Sequence, residues 1–506
     1  MILLLGFFLR SHNVLALPGY ADESHHIRRA EVAWDFTVDN YASYTPGKLL
    51  LYYYLGLFEA ERIPFLAVSR LAIALISLLG GAGTYAVGKR LFEPRIAIMG
   101  LFLYMVMPFT MFFDRMALAD PLTLAMLMLA TWGILIWLDK PTLKLGVILG
   151  ILLILPPLAK LTAMAIIAAP IGAVWIYRRQ HWREYIPSGL VALGILAIFW
   201  IPLFLPVILG EIRGDENRVV LVGDYLLNIH EEDQGFLENL ANSIWEAFRQ
   251  TAIYYWTPAL ILTGIGWLVL LWRRKHGLFL AVMLVLAWLP SVAVGSYPST
   301  RYLEIGIPFL ILMLVAGLYE AARSVADIDR QAVLERSLML GFIIYSLSWS
   351  LPFFDQAVTN PADLKLPEDD LWRYVQSTTA GYGQQAAAHY LENQAIPNPE
   401  SGQVEAYGIL GSCHLMRLFM PEFGKVHLTC APLETGRQLS PETIAAIATE
   451  AQKYGEIYLL LEPSLESNTD DLPLSWTLVE SFQRPHEGVV IELWRVRPQT
   501  TNALPS

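Results

Sequence analysis

Residues 113–138 read FDRMALADPLTLAMLMLATWGILIWL: three charges, Asp114, Arg115 and Asp120, crowd the entrance of an apolar run that starts at Pro121 and continues to Leu138. A helix needs about 20 apolar residues to cross the hydrocarbon core of a bilayer, and this run approaches that length. Charges at a membrane boundary are costly unless they have partners or a task. The stretch therefore carries two messages, a membrane span and a polar site at one end of it.

Comparable apolar runs lie at residues 65–87, 96–113, 145–157, 161–177, 186–209, 254–272, 278–295, 302–322 and 338–354. With the short apolar segment 1–9 they give about eleven spans. Residues 145–177, interrupted by Pro156-Pro157 and Lys160, read either as a hairpin of short helices or as one long kinked span. Segment 1–9 is too short to span and lacks the basic lead and small-residue cleavage site of a signal peptide, so it reads as a first membrane helix that is unusually short or lacks its beginning. Composition agrees, with 55% hydrophobic and 16% charged residues over 506 positions and a mean hydropathy of +0.45. A formal net charge of -11 without a polybasic run argues against nucleic acid as a partner.

Short loops rich in Lys and Arg stay in the cytoplasm. Lys89-Arg90-Arg95, Lys140-Lys144, Arg178-Arg179-Arg183, Arg273-Arg274-Lys275 and Arg323-Arg330-Arg336 fall in alternate loops. The opposite side then receives the loop from Arg10, the polar stretch 210–251 and everything after Phe354, in a multi-pass plasma-membrane protein. Asp22, Glu23, Asp114, Arg115, Asp120, Lys160 and Arg301 all map to that non-cytoplasmic side, and the expectation is that they gather around one polar chamber there.

Beyond residue 354 the chain turns polar and proline-punctuated, and 355–506 is long enough to bury a core of its own. Two domains are expected, a transmembrane domain over 1–354 and an extracytoplasmic one over 355–506. Residues 384–393 and 441–454 read as helices, and 404–410, 426–429, 457–461, 476–480 and 489–496 as strands, which together make a small α/β layer domain. Cys413 and Cys430 lie in this region; an oxidising compartment would allow them to join, while two free thiols in strands is the plainer reading, because pairing cannot be read from spacing alone.

The first external loop opens with Gly19-Tyr20-Ala21-Asp22-Glu23-Ser24-His25-His26. Adjacent carboxylates just outside a membrane helix suit a general base, with the second acid orienting the first or holding a metal; the plainer reading is a solvated acidic loop. His26 and Glu23, with His25, are weak metal candidates, since adjacent histidines on a loop are more often merely solvated. No cofactor is required by these residues, and a divalent cation stays open.

Asp22-Glu23 after a first helix, Arg115 and Asp120 in FDRMALADPLTLA, Lys160 in PPLAKLTA and Arg301-Tyr302 in STRYLEIGIPFL together resemble the integral-membrane C-type glycosyltransferases. Among these the chain is most similar to bacterial relatives of protein O-mannosyltransferases and of the lipid A aminoarabinose transferase, and WRYVQSTTAGYGQQAAAHYLENQ resembles their junction to a C-terminal domain. The resemblance implies an all-α polytopic membrane domain of the GT-C type. It also implies inverting transfer of a sugar from a polyprenyl-phosphate carrier to a hydroxyl of a protein, lipid or glycan acceptor at the outer membrane face. Asp22 would be the base, Glu23 its support, and Asp120 a second acid that positions acceptor or sugar; Asp120 also reads as an N-cap for a helix starting at Pro121.

The cations have their own logic, because a leaving lipid phosphate gains charge as the glycosidic bond breaks. Arg115, Lys160 and Arg301 with Tyr302 suit that task, Arg301 above all through bidentate phosphate binding, against its ordinary role as a snorkelling anchor. Lys48, in Tyr44-Thr45-Pro46-Gly47-Lys48, is a further candidate for the carrier phosphate, although Thr45-Pro46-Gly47 departs from the pattern of relatives. Tyr254, Tyr255 and Trp256 read as an interfacial belt, and Glu231-Glu232-Asp233 as a solvated face. The rival classes are a transporter or flippase of lipid-linked glycans, which would place charges near the midplane of repeated halves, and a non-catalytic membrane subunit.

Overall fold

The computed structural model describes residues 1–35, 46–58, 65–212, 236–273, 275–294, 299–325, 328–399, 401–420, 424–431, 441–462 and 474–498. The acidic run at 231–233 and Tyr44-Thr45 lie outside the described residues. By packing, the chain forms two compact units. The first comprises Met1–Val14, Arg29–Glu59 and Ser69–Asn360, and the second Leu15–Arg28, Ala60–Val68 and Pro361–Ser506.

The longer helices are α1 (Ile2–Ser11), α2 (Ala21–Glu31), α3 (Leu49–Leu55), α4 (Phe65–Leu91), α5 (Pro94–Val106), α6 (Pro108–Phe113), α7 (Ala119–Trp137), α8 (Leu143–Ala159) and α9 (Ala169–Arg178). They continue with α10 (Ile186–Ile212), α11 (Phe236–Tyr255), α12 (Thr257–Arg273), α13 (Lys275–Val294), α14 (Ile307–Val325), α15 (Ile328–Tyr345) and α16 (Leu351–Thr359). Among the described residues, six helical stretches are long and apolar enough to cross a membrane, or seven if α11 and α12, bent by 116° about Trp256, are one span. This makes an integral membrane protein. The expected count of about eleven also drew on shorter helices such as Ile2–Ser11, Pro94–Val106 and Leu143–Ala159. At 1.5 Å per residue these fall short of a core about 30 Å thick, so length alone does not establish that number.

The spans that begin at Ala119 and Thr300 are the most enclosed, each 83% buried. They are the central helices of the first unit, and the charged segments sit at their starts. α12 and α14 cross at Gly266 and Gly317, where a Cβ on Gly317 would lie 2.3 Å from the Gly266 Cα. Small residues permit such close backbone approach, which supplies helix packing where lipid removes the hydrophobic driving force. Tyr254 and Tyr255 do not form an interfacial belt. Both are buried, Tyr254 within an aromatic cluster 4.9 Å from the Phe109 ring and 5.8 Å from that of Phe113.

In the second unit, α17 (Tyr382–Asn393) and α18 (Pro441–Tyr454) flank a five-stranded sheet of β1 (Val404–Ile409), β2 (Val426–Cys430), β3 (Ile457–Leu461), β4 (Leu474–Gln483) and β5 (Val490–Pro498). The strand order is β2-β1-β3-β5-β4, with β1 parallel to β2 and β3 and β5 antiparallel to β3 and β4. Alternation along β3 explains both layers. Tyr458 and Leu460 pack under Ala387, Ala388 and Leu391 of α17, while Ile457, Leu459 and Leu461 pack under Ile447 and Ala451 of α18. A strand covered on both faces reads as an unbroken apolar run, which is how IYLLL appears in the sequence.

Cys413 and Cys430 form a disulfide with Cα atoms 5.8 Å apart, correcting the expectation of free thiols. Cys413 is not in a strand but opens a helical turn after β1, which swings its side chain toward the end of β2. The bond closes a loop of 17 residues' separation, a length for which cross-linking contributes about 3 kcal/mol. Replacing both cysteines with serine is expected to lower hydrogen-exchange protection of the β1 and β2 amides by about that amount. Unchanged protection would make the bond structurally idle.

Candidate functional site

Local structure places four of the expected site residues together in the first unit. Leu118, in extended conformation, is the N-cap of α7, so Asp120 falls within the first helical turn and is not the cap itself. α8 ends after Pro156-Pro157, and Lys160 follows as its extended C-cap residue. This brings the Lys160 Nζ 2.5 Å from the Asp120 Oδ1, with both side chains buried. The same Nζ lies 3.4 Å from the centroid of the Tyr302 ring. The Arg301 guanidinium carbon is 5.0 Å from the centroid of the same ring, and its Nη2 donates to the Tyr302 hydroxyl at 3.2 Å. Arg301 is itself buried, unlike an anchor snorkelling to headgroups.

Tyr302 thus contacts two cations, and Asp120 pairs with one of them, Lys160. Cation–π contact and the ion pair fix the ammonium group, and two buried cations in a low-dielectric setting suit an anion rich in oxygen acceptors.

Beside this centre lies a polar network that sequence reasoning did not assign. Arg10 of α1, fully buried, donates through Nε to Asp114 Oδ2 at 2.7 Å, and through Nη1 to the Met105 carbonyl at 2.8 Å. Glu304, one helical turn beyond Arg301, is also fully buried, and neither carboxyl oxygen meets a donor among the described residues. The signal that could have found Glu304 is an acid inside the apolar run YLEIGIPFL.

Arg115 serves a different neighbour from the one expected. Its Nη1 donates to the carbonyls of Leu9 at 2.9 Å and His12 at 3.0 Å, and its Nη2 to that of Asn13 at 3.0 Å. These are carbonyls at and just beyond the end of α1, the groups a helix leaves without internal partners. Lys48 is half-buried at the end of the turn Pro46–Lys48, just before α3.

Asp22 and Glu23 belong to the second unit, in the first turn of α2, where a carboxylate is favoured by the helix dipole. Glu23 is buried and accepts the Tyr20 N–H at 2.8 Å, closing the helix start in the manner of a capping box. The Ala21 N–H bonds to the Thr379 carbonyl at 3.0 Å, which ties this start to the rest of the unit. Further along α2, Arg28 Nη1 lies 3.0 Å from His414 Nε2. Burial first, then the cations Arg28 and Arg417 and neighbouring His25, push His414 below the usual imidazole range, so it accepts from Arg28 as a neutral ring. Among the described residues no group of three His, Cys, Asp or Glu side chains is arranged to hold a metal ion, so Glu23 and His26 do not gain a third ligand there.

Residues 65–204 match the family model of dolichyl-phosphate-mannose-protein mannosyltransferases. The apo crystal structure of ArnT from Cupriavidus metallidurans is similar over 97% of this chain and 96% of its own, with a TM-score of 0.60 at 12% identity. The same protein bound to undecaprenyl phosphate matches with a TM-score of 0.56, 13% identity and the same coverage. An oligosaccharyltransferase from Archaeoglobus fulgidus, in complex with zinc and sulfate, matches over 90% of this chain and 67% of its own, with a TM-score of 0.52 at 14% identity. No curated protein matches the chain by sequence. The fold is that of the C-type glycosyltransferases, as the resemblance implied.

Proposed function

We propose that this chain, built on the C-type glycosyltransferase fold, transfers a sugar from a polyprenyl-phosphate carrier to a hydroxyl acceptor at the outer face of the membrane. The observation that carries the reading is the buried pairing of Lys160 and Arg301 around Tyr302, with Asp120 alongside, at the starts of the two most enclosed spans. A neutral substrate gives no reason to assemble two desolvated cations; a lipid-linked phosphate does. Two further facts support it. One solved structure of the same fold was obtained with undecaprenyl phosphate, and the disulfide of the second unit suits an oxidising, extracytoplasmic compartment.

In this mechanism the acceptor oxygen attacks the anomeric carbon on the face opposite the phosphate, and the proton of its hydroxyl passes to Asp22. The bond from the anomeric carbon to the phosphate oxygen breaks with its electron pair on that oxygen, so the sugar inverts and polyprenyl phosphate departs with one more negative charge. Lys160 and Arg301 offset that charge most strongly as it develops. Asp120 holds Lys160 in place and positions sugar or acceptor, Glu23 maintains the helix start that presents Asp22, and Lys48 contacts the carrier. Arg115 acts by pinning the end of α1.

The test is transfer in vitro from a panel of polyprenyl-phosphate sugars. Arg301→Ala is expected to lower turnover by about 10²–10³-fold, the usual consequence of removing one fixed donor from developing charge. Turnover unchanged by Arg301→Ala, or no transfer from any donor by the wild type, would remove the proposal.

A further inference from the structure

We propose that the first unit holds an anionic phospholipid in a groove at the membrane face opposite its polar centre, with acyl chain between α8, α9 and α10 and phosphate against Arg179. The cavity measures about 670 Å³ and is lined by Leu149 and Leu153, by Val174 and Trp175, and by Leu190 and Leu193, among others. Its rim is the tight turn Arg179–Tyr185, which contributes Arg179, Trp182 and Tyr185 to the lining.

Position separates this groove from the site already described. α7 carries Asp120 at its start and Trp137 at its end, about 25 Å away at 1.5 Å per residue. Trp137 lines the groove, so the groove belongs to the other end of the bundle. Depth identifies the kind of chain. The wall along α10 runs from Ile186 to Leu196, about 15 Å of helix, which is half of a hydrocarbon core about 30 Å thick. A groove one leaflet deep, opening at a turn with Trp and Tyr at headgroup level, fits an acyl chain of the surrounding bilayer.

Charge identifies the headgroup. Arg178, Arg179 and Arg183 are all exposed at the rim, and the acid on that turn, Glu184, is engaged by His181 at 3.0 Å. Arg179 lies 5.7 Å from the Trp175 ring, which keeps its guanidinium at the mouth. The space is left open by the fold. A Cβ added to Gly189, which lines the groove, would meet nothing within 4 Å, whereas one on Gly146, where α8 packs on α10, would come 2.4 Å from the Ser188 carbonyl oxygen. Gly189 can therefore be enlarged into the groove without disturbing helix packing.

Native mass spectrometry of the whole protein in mild detergent, titrated with phosphatidylglycerol or with phosphatidylcholine of identical chains, tests this. Wild type is expected to retain one phosphatidylglycerol at about fivefold lower concentration than phosphatidylcholine, the preference one basic residue supplies at a lipid surface. Arg179→Gln should abolish that preference, and Gly189→Phe should lower occupancy by both lipids; Leu193→Trp, at an exposed groove position, provides a second block should Gly189→Phe fail to fold. Equal retention of the two lipids by wild type, or undiminished retention in both blocked variants, would mean annular lipid only and overturn the proposal. Displacement of phosphatidylglycerol by equimolar polyprenyl phosphate would assign the groove to the donor's chain and overturn it equally.

Discussion

Asp22→Asn is expected to reduce sugar transfer by about 10²–10⁴-fold, the range associated with loss of a positioned general base. Asn keeps the size of the side chain and is tolerated at helix starts, so the first turn of α2 should survive the change. The discriminating readout is the split between turnover and donor binding: polyprenyl-phosphate affinity should stay at the wild-type level while turnover collapses. Turnover preserved in Asp22→Asn would take the base role away from Asp22. Turnover and donor affinity lost together would point instead to a collapsed site. Because Glu23 accepts the Tyr20 N–H, Glu23→Gln serves as a comparison, with a smaller loss expected from a residue that acts through the helix start.

The second large effect concerns stability. Arg10→Met should destabilise the first unit by about 3–5 kcal/mol, because Asp114 would be left as an uncompensated buried charge. Removing both members, as Arg10→Met with Asp114→Leu, should recover most of that loss, since a buried ion pair replaced by apolar groups of similar volume is often close to neutral. Thermal unfolding midpoints in detergent measure both variants. A double variant as unstable as the single one would show that Arg10 acts through its carbonyl contacts at Gly6 and Met105, and not through the ion pair.

Much of the fold could be read along the chain. In the second unit the expected helix at 441–454 and strand at 457–461 coincide with α18 and β3, and the remaining strands differ only at their ends. Those elements bury alternating or continuous apolar faces, a pattern carried by neighbouring residues. The number of spans was less legible, because apolar runs such as 96–113 are long enough to look like crossings yet fold into shorter helices broken at proline. Cysteine pairing was not legible either, since it depends on the turn that follows β1.

Among the candidate site residues, residue type and place in the sequence were enough to mark Asp120, Lys160, Arg301 and Tyr302, but not to say what each touches. Arg115 bonds the carbonyls at the end of α1, and Glu304 lies buried in an apolar run, contacts that residue type alone does not specify.

What the sequence by itself determined is that this is a helical membrane protein with a polar α/β region after residue 354 and costly charges at the ends of its spans. Hydropathy and periodicity are sums over adjacent residues, so no folded contact is needed to read them. Only the tertiary structure decided that Asp120 pairs with Lys160 across 40 positions and Arg10 with Asp114 across 104. An ion pair depends on distance and on the water excluded around it, and both are set by how helices pack side by side, which neighbours along the chain do not specify.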